Sequence, residues 1–267
     1  MAIIACTMMQ KNEDVLLEPW LKYHGRLFGY ENLFIFDNGS TTFRTKEVLE
    51  QYEAEGVRVN REFTTVSDYA AKGEIIATTI RKLQTDQSYD VVFPLDCDEF
   101  VVLKDGDGAT TDPRRIWNYT KTLIPYGGLH RVNKQFFNII NHPGEFGFGD
   151  YTKTVVVLDG AFDNSDHGHH YCTTRSGSYY RPCDLAYVHY HYKPLAMLKE
   201  HARSKLAPFV NVNDPAAVAS FDGPGHHLRG YLIMTDQDFQ NWHQGSGFYQ
   251  FTEFNSLLTS LGTPIGF

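Results

Sequence analysis

Strand-like and helix-like patterns alternate along the first 95 residues of this chain of 267 residues. Short apolar runs are typical of buried strands, and they occur at residues 3–8, 33–36, 57–59 and 91–95. The segments between these runs have helical spacing, with an apolar stripe at Trp20, Tyr23 and Leu27 and further helices at residues 46–53 and 69–83. Strands that alternate with helices predict an α/β fold with a mostly parallel central sheet flanked by helices.

The pattern changes beyond residue 110, where glycine-rich loops separate less regular segments. Asp112 and Pro113 are typical of a helix start, because aspartate caps helices and proline fits their first turn. Strands are predicted at residues 129–138, 154–158 and 185–190, and helices at residues 194–206, 235–242 and 252–261. No segment has the composition of a linker, so we expect a single domain over residues 1–267 with an α+β C-terminal extension.

Composition argues against several classes of function. The net charge is −8 and no lysine- or arginine-rich run occurs, so we expect no nucleic-acid partner, because such binding relies on phosphate neutralisation. No signal-peptide pattern and no run of 18 apolar residues is present, so we expect no transmembrane segment.

The four cysteines show no Cys-x-x-Cys spacing, and reduced thiols are the expectation. We therefore expect a cytoplasmic protein, either dissolved or peripheral at the inner face of a membrane. The alternative is a disulfide between Cys172 and Cys183, which would require a secreted protein.

Three carboxylates, Asp96, Asp98 and Glu99, follow the fourth predicted strand within four residues. Carboxylates this close repel one another at a buried site unless a cation compensates them. Mg²⁺ and Mn²⁺ prefer oxygen ligands and often keep phosphate oxygens as further ligands. The segment therefore predicts a metal held by Asp96 and Asp98 with a nucleotide diphosphate bound to it. The alternative is a solvated acidic turn.

Polar residues also follow the first two predicted strands, as Lys11-Asn12-Glu13 and Asp37-Asn38-Gly39-Ser40. Ligands of parallel sheets bind beyond the carboxyl ends of the strands, so these segments and the acidic one are expected to share a crevice. A short polar side chain there can bind a nucleobase or a ribose, and Asn38-Gly39 supplies a tight turn. The alternative is an Asx-turn without a ligand.

Histidines and cations occur together later in the chain. His189 and His191 alternate with tyrosines, which places both histidines on one face of a predicted strand. A neutral imidazole there would complete the coordination of a metal held by Asp98. Three cations that follow would offset diphosphate charge: Lys193, Arg203 and Lys205. The alternative is a pair of histidines packed under loops beside a solvated helix face.

The loop of residues 163–170 contains three histidines, and Cys172 lies close to it. Structural zinc is one interpretation, although adjacent His169 and His170 do not easily bind one ion from a regular element. A second interpretation makes Asp166, or else Asp163, a general base. The third is a simple turn, in which aspartate is common.

The order of these motifs resembles the glycosyltransferase family 2 and family 92-like proteins of the GT-A fold. The resemblance also includes Trp20-Leu21-Lys22-Tyr23-His24, Lys153-Thr154 and Arg203-Ser204-Lys205, and it covers about residues 3–206. Two segments depart from the family pattern. Cys97 stands in the middle of the D-x-D motif, and the Phe-Gly segment expected near Phe136-Phe137-Asn138 is altered.

This resemblance implies a metal-dependent glycosyltransferase with Mn²⁺ or Mg²⁺ as its cofactor. The sugar would move from a nucleotide-diphosphate sugar to a hydroxyl of a glycan or other acceptor, with inversion of the anomeric configuration. The resemblance favours UDP as the nucleotide. The resemblance implies that Asp37 contacts the nucleotide and that Asp96 contacts the ribose, the sugar or the metal. It also implies that Asp98 binds the metal, with His191 as a further ligand and His189 as the second choice. The implied donor site also includes Lys11, Asn12, Glu13 and Asn38.

The resemblance assigns residues 1–110 to the nucleotide sugar, residues 111–206 to the acceptor and metal, and residues 207–267 to a helical extension. Two other functions stay open: a non-catalytic nucleotide- or sugar-binding module, and a nucleotidyltransferase. A nucleotidyltransferase would normally show a glycine-rich phosphate loop early in the chain, and residues 6–13 contain no glycine. Three aromatic residues either stack on an acceptor glycan or pack in a core: Trp242, Phe248 and Tyr249.

Overall fold

A computed structural model describes residues 3–140, 142–150, 152–223, 225–242 and 248–267. The chain divides into two compact units. The first unit contains the described residues of Met1–Phe136, Phe148–His189 and Phe251–Ile265. The second unit contains those of Phe137–Gly147, Tyr190–Gln250 and Gly266–Phe267.

The helices and strands are numbered in chain order. The helices are α1 Leu17–Phe28, α2 Phe43–Ala54, α3 Val66–Ala70, α4 Lys72–Asp86, α5 Pro113–Leu123, α6 Leu195–Leu206, α7 Pro215–Ser220, α8 Arg229–Ile233, α9 Asp236–Trp242 and α10 Thr252–Ser260. Short 3₁₀ helices lie at Tyr30–Asn32, Ile124–Tyr126 and His226–Leu228. The strands are β1 Ile4–Gln10, β2 Leu33–Asp37, β3 Arg58–Asn60, β4 Val91–Pro94, β5 Glu99–Asp105, β6 Gly108–Thr110, β7 Gly128–Val132, β8 Gln135–Asn138, β9 Glu145–Gly149, β10 Lys153–Val157, β11 Phe162–Ser165, β12 Cys172–Thr174, β13 Tyr180–Cys183, β14 Leu185–His189 and β15 Tyr249–Gln250.

The main sheet of the first unit has seven strands in the described residues, in the order β13-β7-β10-β4-β1-β2-β3. Parallel pairs join β1 to β2 and β4, β2 to β3, and β13 to β7. Strand β10 is antiparallel to both of its neighbours, β4 and β7. Six strands therefore run in one direction, and their carboxyl ends share an edge with the amino end of β10. The predicted α/β fold with a mostly parallel sheet is confirmed.

Helix α4 covers one face of this sheet. Its apolar residues, including Ile76 and Ile80, pack with Ala5, Val92 and Val156 from three neighbouring strands, and all five are buried. The apolar spacing seen in the sequence thus corresponds to a real core face.

Helix α1 confirms the predicted apolar stripe. Pro19 lies in its first turn, and Trp20 and Tyr23 are fully buried. The helix ends at Gly29, whose N–H donates to Gly25 O and whose φ is +91°. Helix α5 likewise begins as predicted, because Asp112 accepts hydrogen bonds from the first backbone N–H groups.

The predicted single helix over residues 69–83 is wrong, because two helices form there. Thr65 and Asp68 make a capping box that starts α3, with Asp68 N donating to Thr65 Oγ1 at 3.1 Å and Thr65 N to Asp68 Oδ2 at 2.9 Å. Ala71, with φ −90° and ψ 11°, separates α3 from α4. The break makes Lys72 the first residue of α4.

The predicted strand over residues 129–138 is also interrupted. It forms β7 and β8, and the two residues between them, Asn133 and Lys134, are exposed. The polar pair separates two buried segments, and so the predicted strand becomes two strands.

A second group of strands in the first unit is antiparallel. Strand β5 pairs with β6 and with β14, and the register places His189 opposite Glu99. Residues 95–98 form the turn between β4 and β5. This turn carries the acidic motif from the main sheet to the start of β5.

The second unit contains α6 to α9 and β15, which pairs antiparallel with Glu145 and Phe146 of β9. Its core includes Leu195, Leu198, Ala202, Tyr231 and Phe239. Of the aromatic residues considered for acceptor stacking, Phe248 lies 5.7 Å from the ring of His142 and Tyr249 belongs to β15. The side chain of Trp242 lies outside the described part.

The four cysteines, all within the described residues, form no disulfide. Cys172 Sγ donates to Ser165 Oγ at 3.5 Å, and Cys183 Sγ to the carbonyl of Arg131 at 3.4 Å. Among the helices of the described ranges, none combines the length and the apolar character needed to cross a bilayer.

Candidate functional site

The site residues collect at the edge of the main sheet where β1, β2 and β4 end. Asp37 is the last residue of β2, and Asp96 follows β4 by two residues. Lys153 reaches the same edge because β10, the strand it begins, runs in the opposite direction. Since β2 and β4 both pair with β1, their ends are two interstrand spacings apart, about 10 Å.

The carboxylate of Asp37 is held in one orientation. Its Oδ1 accepts hydrogen bonds from Gln10 Nε2 at 3.0 Å, Ser40 N at 3.1 Å and Ser40 Oγ at 2.5 Å. Oδ2 accepts none from the part of the chain that the structure describes. One oxygen is therefore fixed by the protein, and the other is available to a ligand hydroxyl or N–H group.

Asn38 and Gly39 hold a neighbouring loop. Asn38 Nδ2 donates to the carbonyls of Phe63 at 2.7 Å and Thr65 at 3.0 Å. Gly39 has φ +73°, and a Cβ there would lie 2.9 Å from Thr64 O. The Asn-Gly turn thus allows the backbone of Thr64, rather than a ligand, to lie close to Gly39.

The Lys11-Asn12-Glu13 segment contacts the chain that follows β2. Asn12 Oδ1 accepts hydrogen bonds from Thr41 N at 2.7 Å and Thr42 N at 3.1 Å. Asn12 therefore ties the end of β1 to the end of β2. Lys11 is exposed and Glu13 is half-buried.

Asp96 lies in a cluster of opposite charges. Its Oδ1 is 2.6 Å from Lys72 Nζ and its Oδ2 is 2.9 Å from Lys153 Nζ. Lys153 Nζ also contacts Glu99 Oε2 at 2.7 Å and Gly168 O at 2.9 Å, so its three N–H groups have three acceptors. Lys72, Lys153 and Glu99 are each no more than 4% exposed. Buried charges persist only when paired in this way.

The cluster shifts the pKa values of its members in different directions. Burial alone would raise the pKa of Asp96, but Lys153 and Lys72 together hold it well below its usual range. Burial raises the pKa of Glu99, which shares Lys153 with Asp96. Burial alone would lower the pKa of Lys153, but the two carboxylates raise it. Asp96 and Lys153 are therefore both ionised at neutral pH.

Asp98 projects from the same turn towards His189. The distance from Asp98 Oδ1 to His189 Nε2 is 3.6 Å, and His189 Nδ1 lies 2.8 Å from Gln135 Oε1. Burial alone would lower the pKa of His189, but the carboxylates of Asp98 and Glu99 raise it overall. An amide oxygen on Nδ1 fixes the ring orientation and directs Nε2 towards Asp98.

Asp98 and His189 fit a divalent cation better than Asp96 does. Two ligands of one ion at about 2.1 Å lie roughly 3 Å or slightly more apart, near the distance between Asp98 and His189. A histidine whose second nitrogen is hydrogen-bonded is also the usual arrangement of a metal ligand. Two ammonium groups on Asp96 would instead repel a cation at that carboxylate.

Within the described residues, no three or more side chains of histidine, cysteine, aspartate or glutamate are arranged to hold a metal ion. One or two protein ligands are enough for Mg²⁺ where substrate phosphates complete the coordination.

The loop of residues 166–171 packs beside the charged cluster. Asp166 Oδ1 accepts from Tyr171 N at 2.7 Å and Oδ2 from Gly168 N at 3.3 Å, so its carboxylate has a fixed orientation. Asp163 is exposed, and its Oδ2 accepts from Thr173 Oγ1 at 3.5 Å.

His169 is fully buried in this loop. Its Nδ1 lies 2.8 Å from Ser165 Oγ, and its Nε2 has no hydrogen-bond partner within the described ranges. Burial, and then the nearby Lys72 and Lys153, lower the pKa of His169 well below its usual range, so the ring is neutral. The side chains of Cys172 and His169 thus both meet Ser165 rather than a common ion.

Four predicted site residues belong to the second unit. His191 follows the end of β14 and is exposed, with its ring 4.9 Å from that of Tyr192. Lys193 precedes α6, and Arg203 and Lys205 lie in its last turn.

The sequence analysis assigned no role to Lys72, Lys153 or Gln135. One signal for Lys153 was present: it begins an apolar strand, and a lysine in such a strand needs a carboxylate partner. Glu99 begins another apolar strand and is that partner. Gln135 and Lys72 gave no comparable signal.

No family model matches the chain, and a search of curated proteins finds no significant match. Similar solved structures include glucosyl-3-phosphoglycerate synthase from Mycobacterium tuberculosis with Mn²⁺, UDP and phosphoglyceric acid, at 18% identity and a TM-score of 0.31. That match covers 51% of this chain and 44% of the synthase, so the chain spans less than half of its length.

A second similar structure is residues 1–349 of S. aureus TarS with UDP-GlcNAc, at 10% identity and a TM-score of 0.40, covering 86% of this chain and 70% of that one. Both matches are partial structural similarities. Because both TM-scores are below 0.5, the function is inferred from the residues of this chain.

Proposed function

We propose that this protein is a glycosyltransferase that moves a sugar from a nucleoside-diphosphate sugar to an acceptor hydroxyl. The observation that carries the proposal is the placement of two carboxylates, Asp37 and Asp98, beyond the carboxyl ends of two parallel strands about 10 Å apart. This spacing suits a ligand with a nucleoside at one end and a diphosphate at the other.

Asp37 is the proposed nucleoside contact. Gln10 and Ser40 hold its Oδ1, and Oδ2 would accept a hydrogen bond from a ribose hydroxyl or a base N–H. Because the carboxylate is already oriented, little conformational freedom is lost on binding.

Asp98 and His189 are the proposed ligands of Mn²⁺ or Mg²⁺. When bound, the ion would stabilise the negative charge that develops on the leaving nucleoside diphosphate. Gln135 holds the imidazole of His189, and the turn of residues 95–98 directs the carboxylate of Asp98 to the same point.

Asp96 is proposed to fix that turn. Its two ion pairs hold the start of the Asp96-Cys97-Asp98 segment, and the hydrogen bond from its backbone N–H to Glu99 Oε2 at 2.8 Å connects it to the residue that follows the segment. A segment held this way presents Asp98 in one geometry, as a site of this kind requires.

Asp166 is our candidate for the base that takes the proton from the acceptor hydroxyl in an inverting reaction. Its loop contacts Lys153 through Gly168 O, and two backbone N–H groups orient its carboxylate. UDP is our proposed nucleotide, and a glycan is the proposed acceptor class.

The test is nucleoside-diphosphate release from a panel of UDP-, GDP-, ADP- and dTDP-sugars with Mn²⁺ and a mixture of hydroxyl acceptors. We expect turnover with at least one donor, its loss in Asp98→Asn, and its retention in Asp107→Asn. Asp107 is exposed and lies in the turn between β5 and β6, so it is a matched control. Metal-dependent nucleotide binding without any release would instead indicate a binding module, and equal turnover in Asp98→Asn would contradict the role of Asp98.

A further inference from the structure

Arg131, near the end of β7, lies against two tyrosine rings. Its guanidinium carbon lies 3.7 Å from the ring centroid of Tyr180 and 5.4 Å from that of Tyr171. Its Nε is buried and has no hydrogen-bond partner in the part of the chain that the structure describes. Within the same residues, no carboxylate pairs with this guanidinium. A half-buried cation is thus positioned without a counter-ion.

Tyr180 is fixed by its side chain and Tyr171 by its backbone. The hydroxyl of Tyr180 donates to the carbonyl of Cys172, and Tyr171 N donates to Asp166 Oδ1 at 2.7 Å. Tyr171 is 64% exposed, so its side chain is accessible to a ligand. Stacking on the fixed ring of Tyr180 leaves the guanidinium few orientations and pre-organises its N–H groups.

Arg131 lies at the same edge of the sheet as the proposed transfer site. It pairs with Thr154 of β10, so its side chain leaves the face of the sheet opposite to that of Lys153, the residue before Thr154. Strand β10 separates β7 from β4. The lateral distance from β7 to β4 is therefore two interstrand spacings, about 10 Å. One loop links the two groups, because Gly168 O binds Lys153 and Tyr171 packs on Arg131.

We propose that Arg131 binds an anionic group, a carboxylate or a phosphate, of the acceptor sugar. The planar guanidinium matches the two oxygens of such a group, and the exposed ring of Tyr171 offers a surface for the sugar. The chain as a whole carries a charge of −8, so an anionic acceptor needs a local cation to be bound. The acceptor role rests on the proposed glycosyltransferase function, whereas the anion site itself does not.

The chain contains a matched control. Arg181 also lies near two tyrosine rings, 5.9 Å from that of Tyr126 and 5.3 Å from that of Tyr179. Its register partner on β7 is His130, which precedes Arg131, so the two arginines project from opposite faces of the sheet. Replacing Arg181 removes the same charge and the same kind of stacking from the other face.

The experiment is a ligand-observed NMR titration with glucuronate, glucose 6-phosphate and glucose. We expect the wild type to bind at least one anionic sugar more tightly than glucose. Arg131→Met should weaken that binding roughly 10- to 100-fold, and Arg131→Lys less, because an ammonium cannot form the two-point contact. Arg181→Met should bind like the wild type. The preferred sugar distinguishes a carboxylate from a phosphate ligand.

Equal binding by the wild type and Arg131→Met, or an equal loss in Arg181→Met, would overturn the proposal. UDP titrations with Mn²⁺ on the same variants separate it from the proposed function, because Arg131→Met should bind UDP like the wild type. Anion binding that depends on Arg131 in a protein that does not bind UDP would reject the acceptor role and the glycosyltransferase function. Arg131→Lys keeps the test decisive if Arg131→Met fails to fold.

Discussion

Lys153 and Asp96 form a buried ion pair, with Nζ 2.9 Å from Oδ2, between the first residue of β10 and the turn that follows β4. The same Nζ lies 2.7 Å from Glu99 Oε2. One ammonium thus joins two of the three clustered carboxylates, and the third, Asp98, is directed to His189. Lysines therefore compensate Asp96 and Glu99, and Asp98, which lies beside His189, is the carboxylate that we propose for a metal.

Replacement of Lys153 by methionine should destabilise the protein strongly. The variant leaves Asp96 and Glu99 close together without their shared cation, and removal of one partner of a buried pair costs about 3–5 kcal/mol. Urea denaturation followed by tryptophan fluorescence measures this loss. Lys104→Met is the control, because Lys104 is exposed and lies 3.8 Å from exposed Asp184, and its loss should be under about 1 kcal/mol. Similar losses in the two variants would contradict the account of the cluster.

Asp96→Asn and Asp98→Asn should differ in what they change. Asp96→Asn weakens two ion pairs and should lower the free energy of unfolding by roughly 3 kcal/mol. Asp98→Asn removes a partly exposed carboxylate near one histidine and should change stability by less than about 1 kcal/mol. Chemical denaturation of both variants checks the order. A stable Asp96→Asn protein would show that the lysines do not need this carboxylate.

His24 should make the protein less stable in mild acid. It is fully buried among aromatic rings, with Nδ1 3.0 Å from Trp20 O and Nε2 accepting from Val101 N at 3.3 Å. Burial lowers its pKa to about 3, from about 6.5 in the unfolded chain. The unfolded chain therefore binds more protons between these values, and stability present above pH 6.5 is lost as the pH falls towards 3.

The free energy of unfolding, measured at several pH values, should fall by up to about 1.4 kcal/mol per pH unit from this group. His24→Gln should show a shallower slope over the same range, whatever its stability at neutral pH. If the free energy of unfolding had the same pH dependence in the two proteins, His24 would be protonated in the folded protein.

Gly39→Ala should cost more stability than another alanine placed at positive φ. At Gly39 the new Cβ would meet Thr64 O at 2.9 Å with φ +73°, whereas at Gly160 φ is +88° and nothing lies within 4 Å. Both variants incur the backbone strain of about 1 kcal/mol or more, and only Gly39→Ala adds a collision. Thermal unfolding of both proteins measures the difference. An equal shift would show that the loop at residues 63–65 yields to the methyl group.

Local patterns predicted the parallel part of the main sheet well. The apolar runs that became β1, β2 and β4 and the stripe of Trp20, Tyr23 and Leu27 carry their signal in short sequence windows. The reversed direction of β10 has no such signal, because an apolar strand looks the same in either direction. The break between α3 and α4 at Ala71 was not predicted, because the apolar spacing continues through it.

Predictions for the site depended on contacts between distant segments. The sequence showed that Asp96 and Asp98 follow a strand, but Lys72 and Lys153, 24 and 57 residues away, decide what surrounds Asp96. The shared-face prediction for His189 and His191 assumed that the strand continues. Strand β14 ends at His189, so alternation does not extend to His191.

Calorimetric titration of UDP, with and without Mn²⁺, tests the central claim most directly: a divalent ion at Asp98 and His189 joins the protein to a diphosphate. We expect UDP to bind with Mn²⁺ at least about tenfold more tightly than without it, and both Asp98→Asn and His189→Gln to remove that difference while Asp107→Asn retains it. UDP affinity that is the same with and without Mn²⁺, or a full metal effect in Asp98→Asn, would contradict the account.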